Sequence, residues 1–294
     1  MIKENEWAEQ PNMINVRSVH REGDWSESYI VDLFDWHLMV SEQLPWFVGN
    51  AQWAFKDFGT PLRPENPIPY INQKGVLDRA GKPKDAYYVF KSYWTTEPKF
   101  CYIESPTWVE RNGREGEKRQ LCVYSNCNQV RLVLNGIQLE MKDRNINDFP
   151  SSGFHWDVDF QEGLNELMAI GYSAGREAAR HAIQLNYSTI KFGKPEELLL
   201  SAHRLENDNY LISARVIDKK GLTCLDFNER VYFDHSGAGY LKVNLGTPTG
   251  SSVIECANGR AAIEYVPENN GTAVIEARTQ DFKGGFLYFP IREH

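Results

Sequence analysis

Residues 45–94 read PWFVGNAQWAFKDFGTPLRPENPIPYINQKGVLDRAGKPKDAYYVFKSYW, and the interpretation of the whole chain depends on this stretch. The apolar run Trp46–Trp53 predicts a short strand buried on both faces, as parallel strands are. The loop that follows has 29 residues, including four prolines, before Pro83. Loops of that length in a compact domain are usually functional. Pro83 then favours a helix over residues 84–94. Strand, loop and helix form one βα unit, and in a β/α barrel the loop after a strand holds ligands.

Upstream of this unit, apolar residues recur at helical spacing from Tyr29 to Leu44. This periodicity predicts a helix that begins at Ser26 or Glu27 and ends before Pro45. Residues 1–28 are polar and are interpreted as a long loop. The first 96 residues therefore offer two helices but one strand, and a single parallel strand cannot form a sheet.

Composition narrows the function classes. Aromatic residues make up 13% of the 294 residues, with 8 Trp and 14 Tyr, and exposed aromatic rings suit carbohydrate. A net charge of −8 argues against a nucleic-acid or anionic-membrane partner. No apolar run is long enough to span a membrane, and the first ten residues do not resemble a signal peptide. Spacing of the His and Cys residues predicts neither a metal site nor a cofactor, although Cys122 and Cys127 flank a turn and could pair.

After Glu97-Pro98 the apolar period changes from 3.6 to 2, which indicates β-strands. Seven short strands separated by turns, one of them the hairpin turn Asn135-Gly136, predict a sandwich, and a second set of strands predicts an immunoglobulin-like sandwich. The predicted fold is an α/β-barrel fragment followed by two all-β sandwiches. The predicted domains are residues 1–96, 97–193 and 194–294.

The opening stretch resembles the end of the catalytic barrel in glycoside hydrolase family 2, which includes β-galactosidases and β-glucuronidases. The residues that carry this resemblance are Phe47-Val-Gly49, Trp53, Asp57-Phe58, Asn72-Gln-Lys-Gly75, Asp78-Arg79 and Lys82-Pro-Lys-Asp85. The two sandwiches resemble the domains that follow the barrel in multi-domain members. The resemblance covers almost the whole chain and identifies it as a C-terminal portion of such a protein.

The resemblance also implies where catalysis takes place. Retaining glycosidases use an acid/base and a nucleophile about 5 Å apart. In this family both carboxyl groups lie before the eighth barrel strand, which is the strand that 46–53 resembles. We therefore expect both upstream of Met1 and expect this chain alone to be inactive. Glu6 is the nearest candidate nucleophile, but no apolar strand precedes it.

Five residues are the predicted substrate-binding set: Trp53, Asn72, Lys74, Asp57 and Arg63. The resemblance implies that Trp53 forms the floor of the sugar subsite, and that Asn72 and Lys74 bind a uronate carboxylate in β-glucuronidases. Asp57 either bonds a sugar hydroxyl or ties the loop down. Arg63 either meets an anionic sugar or pairs with a nearby carboxylate.

The predicted function is the C-terminal part of a retaining β-glycosidase, β-galactosidase-like, with β-glucuronide as the alternative substrate. A non-catalytic carbohydrate-binding or scaffold protein is the second hypothesis. Predicted partners are a β-galactoside or uronide, and either the missing barrel portion or a second copy. The family is often periplasmic or secreted.

Because the run 46–53 would expose apolar side chains, residues 1–95 should dock on the first sandwich, dimerise or be poorly ordered. The aromatics Tyr187, Tyr210 and Tyr240 could form a sugar-binding face, with packing within the sandwich as the default.

Overall fold

A computed structural model of the chain describes residues 27–60, 71–145, 153–227, 229–242, 252–256, 259–268 and 271–290. The chain divides into two compact units. One contains the described parts of residues 25–57 and 73–191, and the other contains those of 58–72 and 192–294. Within these described ranges, no helix is both long and apolar enough to cross a membrane. The three domain boundaries read from the sequence stay a prediction.

The first unit contains both helices, α1 (Glu27–Gln43) and α2 (Asp85–Trp94), close to their predicted bounds. Helix α1 buries Val31, Phe34 and Leu38, which share one face at the helical period. Helix α2 follows Lys84, whose extended backbone forms the N-cap position, and it buries Ala86 and Val89 on its inner face.

The same unit contains a sandwich of two sheets around one apolar core. Its strands are β3 (Cys101–Ile103), β4 (Glu110–Asn112), β5 (Arg119–Ser125), β6 (Gln129–Leu134), β7 (Ile137–Asp143), β8 (Gly153–Val158), β9 (Gly163–Ser173) and β10 (Arg176–Ser188). The three-stranded sheet has the order β3-β5-β8 and the five-stranded sheet has the order β4-β10-β9-β6-β7. The predicted hairpin turn joins β6 to β7, where Asn135 and Gly136 both have positive φ, as a two-residue turn of this kind requires. Strand β4 is short and was not predicted; it pairs in parallel with β10.

The helices pack on the outer face of the three-stranded sheet. They share a core with Phe100, Tyr102, Cys122 and Tyr124, separate from the core between the sheets. The Asp85 carboxylate at the start of α2 accepts hydrogen bonds from the Tyr102 hydroxyl (2.7 Å) and the Ser105 backbone N–H (3.0 Å). For the described helices, this confirms docking on the first sandwich, one of the three outcomes predicted for this segment.

The second unit contains the C-terminal sandwich. Its strands are β11 (Glu197–Arg204), β12 (Tyr210–Ile217), β13 (Arg230–Gly237), β14 (Tyr240–Leu241), β15 (Val253–Glu255), β16 (Arg260–Val266), β17 (Ala273–Arg278) and β18 (Gly285–Phe289). Its two sheets have the orders β11-β12-β16-β14 and β15-β13-β17-β18. Alternate residues such as Ile212, Ala214, Phe233, Ile275 and Ala277 point inward and form its core. A two-stranded ladder, β1 (Phe58–Gly59) with β2 (Ile71–Asn72), also belongs to this unit.

The predicted strand over residues 46–53 is wrong, because the structure has no strand there and leaves Trp46, Val48 and Trp53 exposed. A strand exists only where a neighbour satisfies its N–H and C=O groups. Within the segment the Phe47 N–H donates to the Leu44 carbonyl in a turn (2.9 Å), and pairing with another extended stretch is seen among the described residues from Ala54 onward. The βα unit of a barrel is therefore not confirmed, whereas the two sandwiches are.

All five cysteines are free and buried, so Cys122 and Cys127 are not paired. The neighbour of Cys127 is Cys101 instead. The interaction between the two thiols raises the pKa of Cys101 and lowers the pKa of Cys127. A side chain at Gly171 would meet both sulfurs, which explains the absence of one at that position in β9.

Candidate functional site

The predicted site is organised by two stretches of backbone that run side by side in the first unit. The Ala54 N–H donates to the Lys74 carbonyl (3.2 Å), and the Val76 N–H donates back to the Ala54 carbonyl (3.1 Å). One step further, the Leu77 N–H donates to the Phe55 carbonyl (3.0 Å). The two ends of the long loop are thus held together, and the backbone of Trp53 lies next to that of Lys74.

Gly75 permits this close pairing. A Cβ atom at this position would lie 2.2 Å from the Asp57 nitrogen and 2.4 Å from the Lys56 carbonyl carbon. Both are backbone atoms, which cannot move away as a flexible side chain can. The glycine of the Asn-x-Lys-Gly motif therefore lets the chain pass within contact distance of residues 56–57, and this fixes the position of Lys74.

Asp57 and Lys84, which lie near the two ends of the long loop in the sequence, form a buried ion pair. The Lys84 Nζ donates to the Asp57 Oδ1 (2.8 Å), and the exposed fractions of the two side chains are 10% and 8%. The same carboxylate oxygen accepts the Gly75 N–H (2.9 Å), and the same ammonium donates to the Gln73 carbonyl (2.9 Å). This geometry supports the loop-tying role among the two considered for Asp57. A sugar contact by Asp57 is not tested by it.

Trp53 presents a flat aromatic surface to solvent, with 68% of the residue exposed. The Gln52 side chain donates from Nε2 to the Trp53 carbonyl (2.7 Å), and the peptide bond between Trp53 and Ala54 is cis. Phe55, two residues on, is 69% exposed. Trp53 is therefore exposed rather than part of a core, and its backbone lies next to that of Lys74.

The remaining predicted residues are placed less completely. Lys74 is half-buried, and its backbone is fixed by the pairing with Ala54. Asn72 lies in β2 of the other unit, where it pairs with Phe58. Arg63 and Glu6 lie outside the described residues. The backbone pairing thus brings Trp53, Lys74 and Asp57 together.

A separate open cavity of about 320 Å³ lies at the end of α1. It is lined by Leu38, Phe47, Val48, Asn50 and Trp94, with three further residues. Phe47, Val48 and Trp94 are also exposed, so an apolar surface continues from this cavity along the segment before Trp53. Sequence reasoning predicted the exposure of this segment but not the cavity.

Lys84 lies in the Lys82-Pro-Lys-Asp85 motif, and the sequence predicts no role for it. Its role depends on the contact with Asp57, 27 residues away in the sequence. Of the aromatics considered as a sugar face, Tyr187 is buried against Phe160, and Tyr210 is half-buried against Phe289. Tyr240 is exposed. In the ranges that the structure describes, no group of three or more His, Cys, Asp and Glu side chains could hold a metal ion.

The chain is therefore a protein of two β-sandwiches, antiparallel except for the β4–β10 pair, with two helices docked on the first sandwich. Residues 116–179 match a family described as a domain of unknown function, DUF4982. Over 287 residues the chain is 50% identical to a Formosa agariphila protein provisionally named β-glucuronidase, with 97% of this chain and 35% of that protein aligned. It is 28% identical over 180 residues to a β-galactosidase of Bacteroides ovatus, which covers 59% of this chain and 19% of that one.

A solved structure agrees with these sequence relatives. The crystal structure of a Parabacteroides merdae β-glucuronidase superposes with a TM-score of 0.73 at 42% identity, over 92% of this chain and 34% of that one. The chain is thus homologous to the C-terminal part of glycoside hydrolase family 2 proteins, as its sequence predicts. The chain spans about a third of the length of the Formosa agariphila protein (35%) and of the Parabacteroides merdae enzyme (34%).

Proposed function

We propose that this chain is the C-terminal part of a retaining β-glycosidase that acts on β-glucuronides, and that it supplies part of the sugar subsite. The relatives with 50% and 42% identity carry the name β-glucuronidase, whereas the β-galactosidase relative has 28%. This order favours the uronide, which the sequence offered as the alternative, over the β-galactoside that it placed first.

The observation that carries the proposal is the juxtaposition of Trp53 and Lys74. The indole is exposed, and the hydrogen bond from Ala54 to the Lys74 carbonyl holds the two residues side by side. An aromatic face suits the C–H face of a pyranose, and an ammonium suits a carboxylate on the same sugar. A glucuronide has both features, whereas a galactoside has only the first.

The other predicted residues take supporting roles in this proposal. Asn72, two positions before Lys74, contributes an amide donor to the uronate. Arg63 stays in the proposal as a second cation for an anionic sugar. Asp57 acts as a positioning residue, because its carboxylate oxygen already accepts hydrogen bonds from Gly75 and Lys84. The nucleophile and the acid/base belong, in this proposal, to the part of the relatives that this chain does not span.

Ligand-observed NMR on the purified chain tests the substrate assignment. Saturation transfer to sodium glucuronate should exceed transfer to galactose, because only the uronate gains the charge-assisted contact. Lys74→Ala should remove that preference, and Trp53→Ala should reduce transfer to both sugars. Lys220→Ala, in a turn of the other unit, is the matched control and should change neither. A glucuronate signal that Lys74→Ala leaves intact contradicts the proposal.

Hydrolysis assays test the catalytic part separately. The chain alone should release no aryl alcohol from an aryl β-glucuronide or an aryl β-galactoside. A rate above the buffer blank that Glu6→Gln abolishes would mean that a catalytic carboxylate lies within this chain. That result would overturn the division of roles without affecting the sugar assignment.

A further inference from the structure

The outer face of the sheet β15-β13-β17-β18 in the C-terminal sandwich carries two solvent-facing aromatic rings. Phe286 and Tyr288 on β18 are 56% and 67% exposed. Between and after them, Leu287 packs against the core and Phe289 is buried within it. The alternation of a strand therefore separates two core residues from two residues that the core does not use. Strand β18 is the last strand of its sheet, and the start of β11 lies beside its N-terminal end, where the Leu198 N–H donates to the Lys283 carbonyl (3.0 Å).

Strand register places hydrogen-bonding side chains in the same rows as these rings. Phe286 lies opposite Glu276 on β17, which lies opposite Asp234 on β13. Tyr288 lies opposite Val274, which lies opposite Ser236. Residues two apart on a strand point to the same face about 7 Å from each other. Two rings at that spacing are flanked by two carboxylates and a hydroxyl.

We propose that this face, formed by Phe286, Tyr288, Glu276, Asp234 and Ser236, is a binding site for a neutral β-linked glycan chain. Each ring offers a surface for the C–H face of one sugar unit. The carboxylates on the adjacent strands accept hydrogen bonds from the hydroxyl groups at the edge of the sugar.

Charge decides between this occupant and an acidic one. Glu276 and Asp234 are the charged side chains in the two rows that contain the aromatics, and Arg278, on the same face of β17, lies one row further on, opposite Tyr232. The whole chain carries a net charge of −8. A polyuronate would place its carboxylates against Glu276 and Asp234, and like charges at that distance repel. This site is therefore distinct in chemistry from the subsite at Trp53 and Lys74, and it does not depend on the function proposed there.

Affinity gel electrophoresis of the full 294-residue chain tests the proposal. The gels contain a soluble β-glucan, β-galactan or β-xylan as neutral probes, and polygalacturonate as the anionic probe. At least one neutral polymer should retard the wild type, and the double variant Phe286→Ala/Tyr288→Ala should weaken that retardation about tenfold or more. Glu276→Gln should weaken it with both rings in place.

Two control variants separate this site from the others. Tyr240→Ala removes an exposed tyrosine from the other sheet of the same sandwich, and Ile137→Ala removes an exposed apolar side chain from β7 of the first sandwich. Both should be retarded like the wild type, and circular dichroism should show the same fold for all variants. Retardation by no neutral polymer, by polygalacturonate alone, or equally for the wild type and the double variant would overturn the proposal.

Discussion

Lys84 and Asp57 are joined by a hydrogen-bonded ion pair of 2.8 Å that is nearly shielded from water, 27 residues apart in sequence. Because the same ammonium reaches the Gln73 carbonyl and the same carboxylate reaches the Gly75 N–H, the pair closes the long loop at both ends. The position of Lys74, and so of the proposed subsite, depends on this pair.

Replacing Lys84 with Met should destabilise the first unit by about 3–5 kcal/mol. The substitution leaves the Asp57 carboxylate buried without its cation, and removing one partner of a buried pair costs about that much. Chemical denaturation followed by tryptophan fluorescence measures the loss. Lys283→Met is the matched control: its pair with Glu197 is exposed, at 76% and 34%, and its loss should cost far less stability. Equal losses for the two variants would contradict a structural role for the Lys84 pair.

Gly75→Ala should separate the two paired stretches. The added carbon meets backbone atoms of Lys56 and Asp57 at 2.4 and 2.2 Å, so the pairing must open by more than a side-chain adjustment. Overpacking of this kind costs about 1–3 kcal/mol or more. Amide hydrogen exchange should show faster exchange at Val76 and Leu77, whose N–H groups donate across the pairing.

Gly81→Ala provides a comparison for that substitution. Gly81 has a φ of +86°, and no atom lies within 4 Å of a Cβ added there. The substitution should therefore cost only the strain of an alanine in the left-handed region, about 1–2 kcal/mol of stability. It should leave the exchange rates at Val76 and Leu77 unchanged. Unchanged rates in Gly75→Ala as well would mean that the glycine is not needed for the pairing.

The sequence predicted the two sandwiches and both helices because their patterns are local and strong. The periods of 3.6 and 2, the turn Asn135-Gly136 and the proline at the start of α2 each reflect contacts within a few residues. Strands β4 and β15 were missed because each has three residues, too few to display a period. The strand over 46–53 was predicted on apolar content alone, and such content does not supply a hydrogen-bonding neighbour.

The site was predicted in part for a similar reason. Trp53 and Lys74 were found through the motif around them, and the structure brings their backbones together. The function of Lys84 depends on a contact with Asp57 that no local pattern encodes. Arg63 lies outside the described residues, so its place in the subsite stays a prediction.

Stability should fall between pH 6.5 and pH 4 because of His155. Burial, with Lys142 adding, lowers the pKa of His155 from 6.5 to about 4, although Asp157 opposes this. Between these values the unfolded chain binds a proton that the native chain does not, so acid favours unfolding. Full stability is present above pH 6.5, and about 3 kcal/mol is lost as the pH falls through 4.

Denaturation of wild type and His155→Gln at pH 7.5 and pH 4.5 tests this titration. The carboxyl groups are common to both proteins, so their contributions cancel in the comparison. The wild type should lose more stability between the two values than the variant does. Parallel losses would show that His155 is not held neutral by its surroundings.

The exposed apolar segment before Trp53 should make the isolated chain associate. Trp46, Val48 and Phe55 are exposed together with Trp53 and Trp94, and contiguous apolar surface of this kind favours contact with another surface over water. Sedimentation velocity should show a weight-average mass that rises with protein concentration. The double variant Trp46→Lys/Val48→Lys should lower that rise without loss of stability, since neither side chain is buried.

The matched control, Leu164→Lys/Ile190→Lys, places the same charges on exposed apolar positions of the first sandwich and should leave association unchanged. A wild type that stays monomeric across the concentration range, or a control that suppresses association equally, would show that this segment is not an interaction surface.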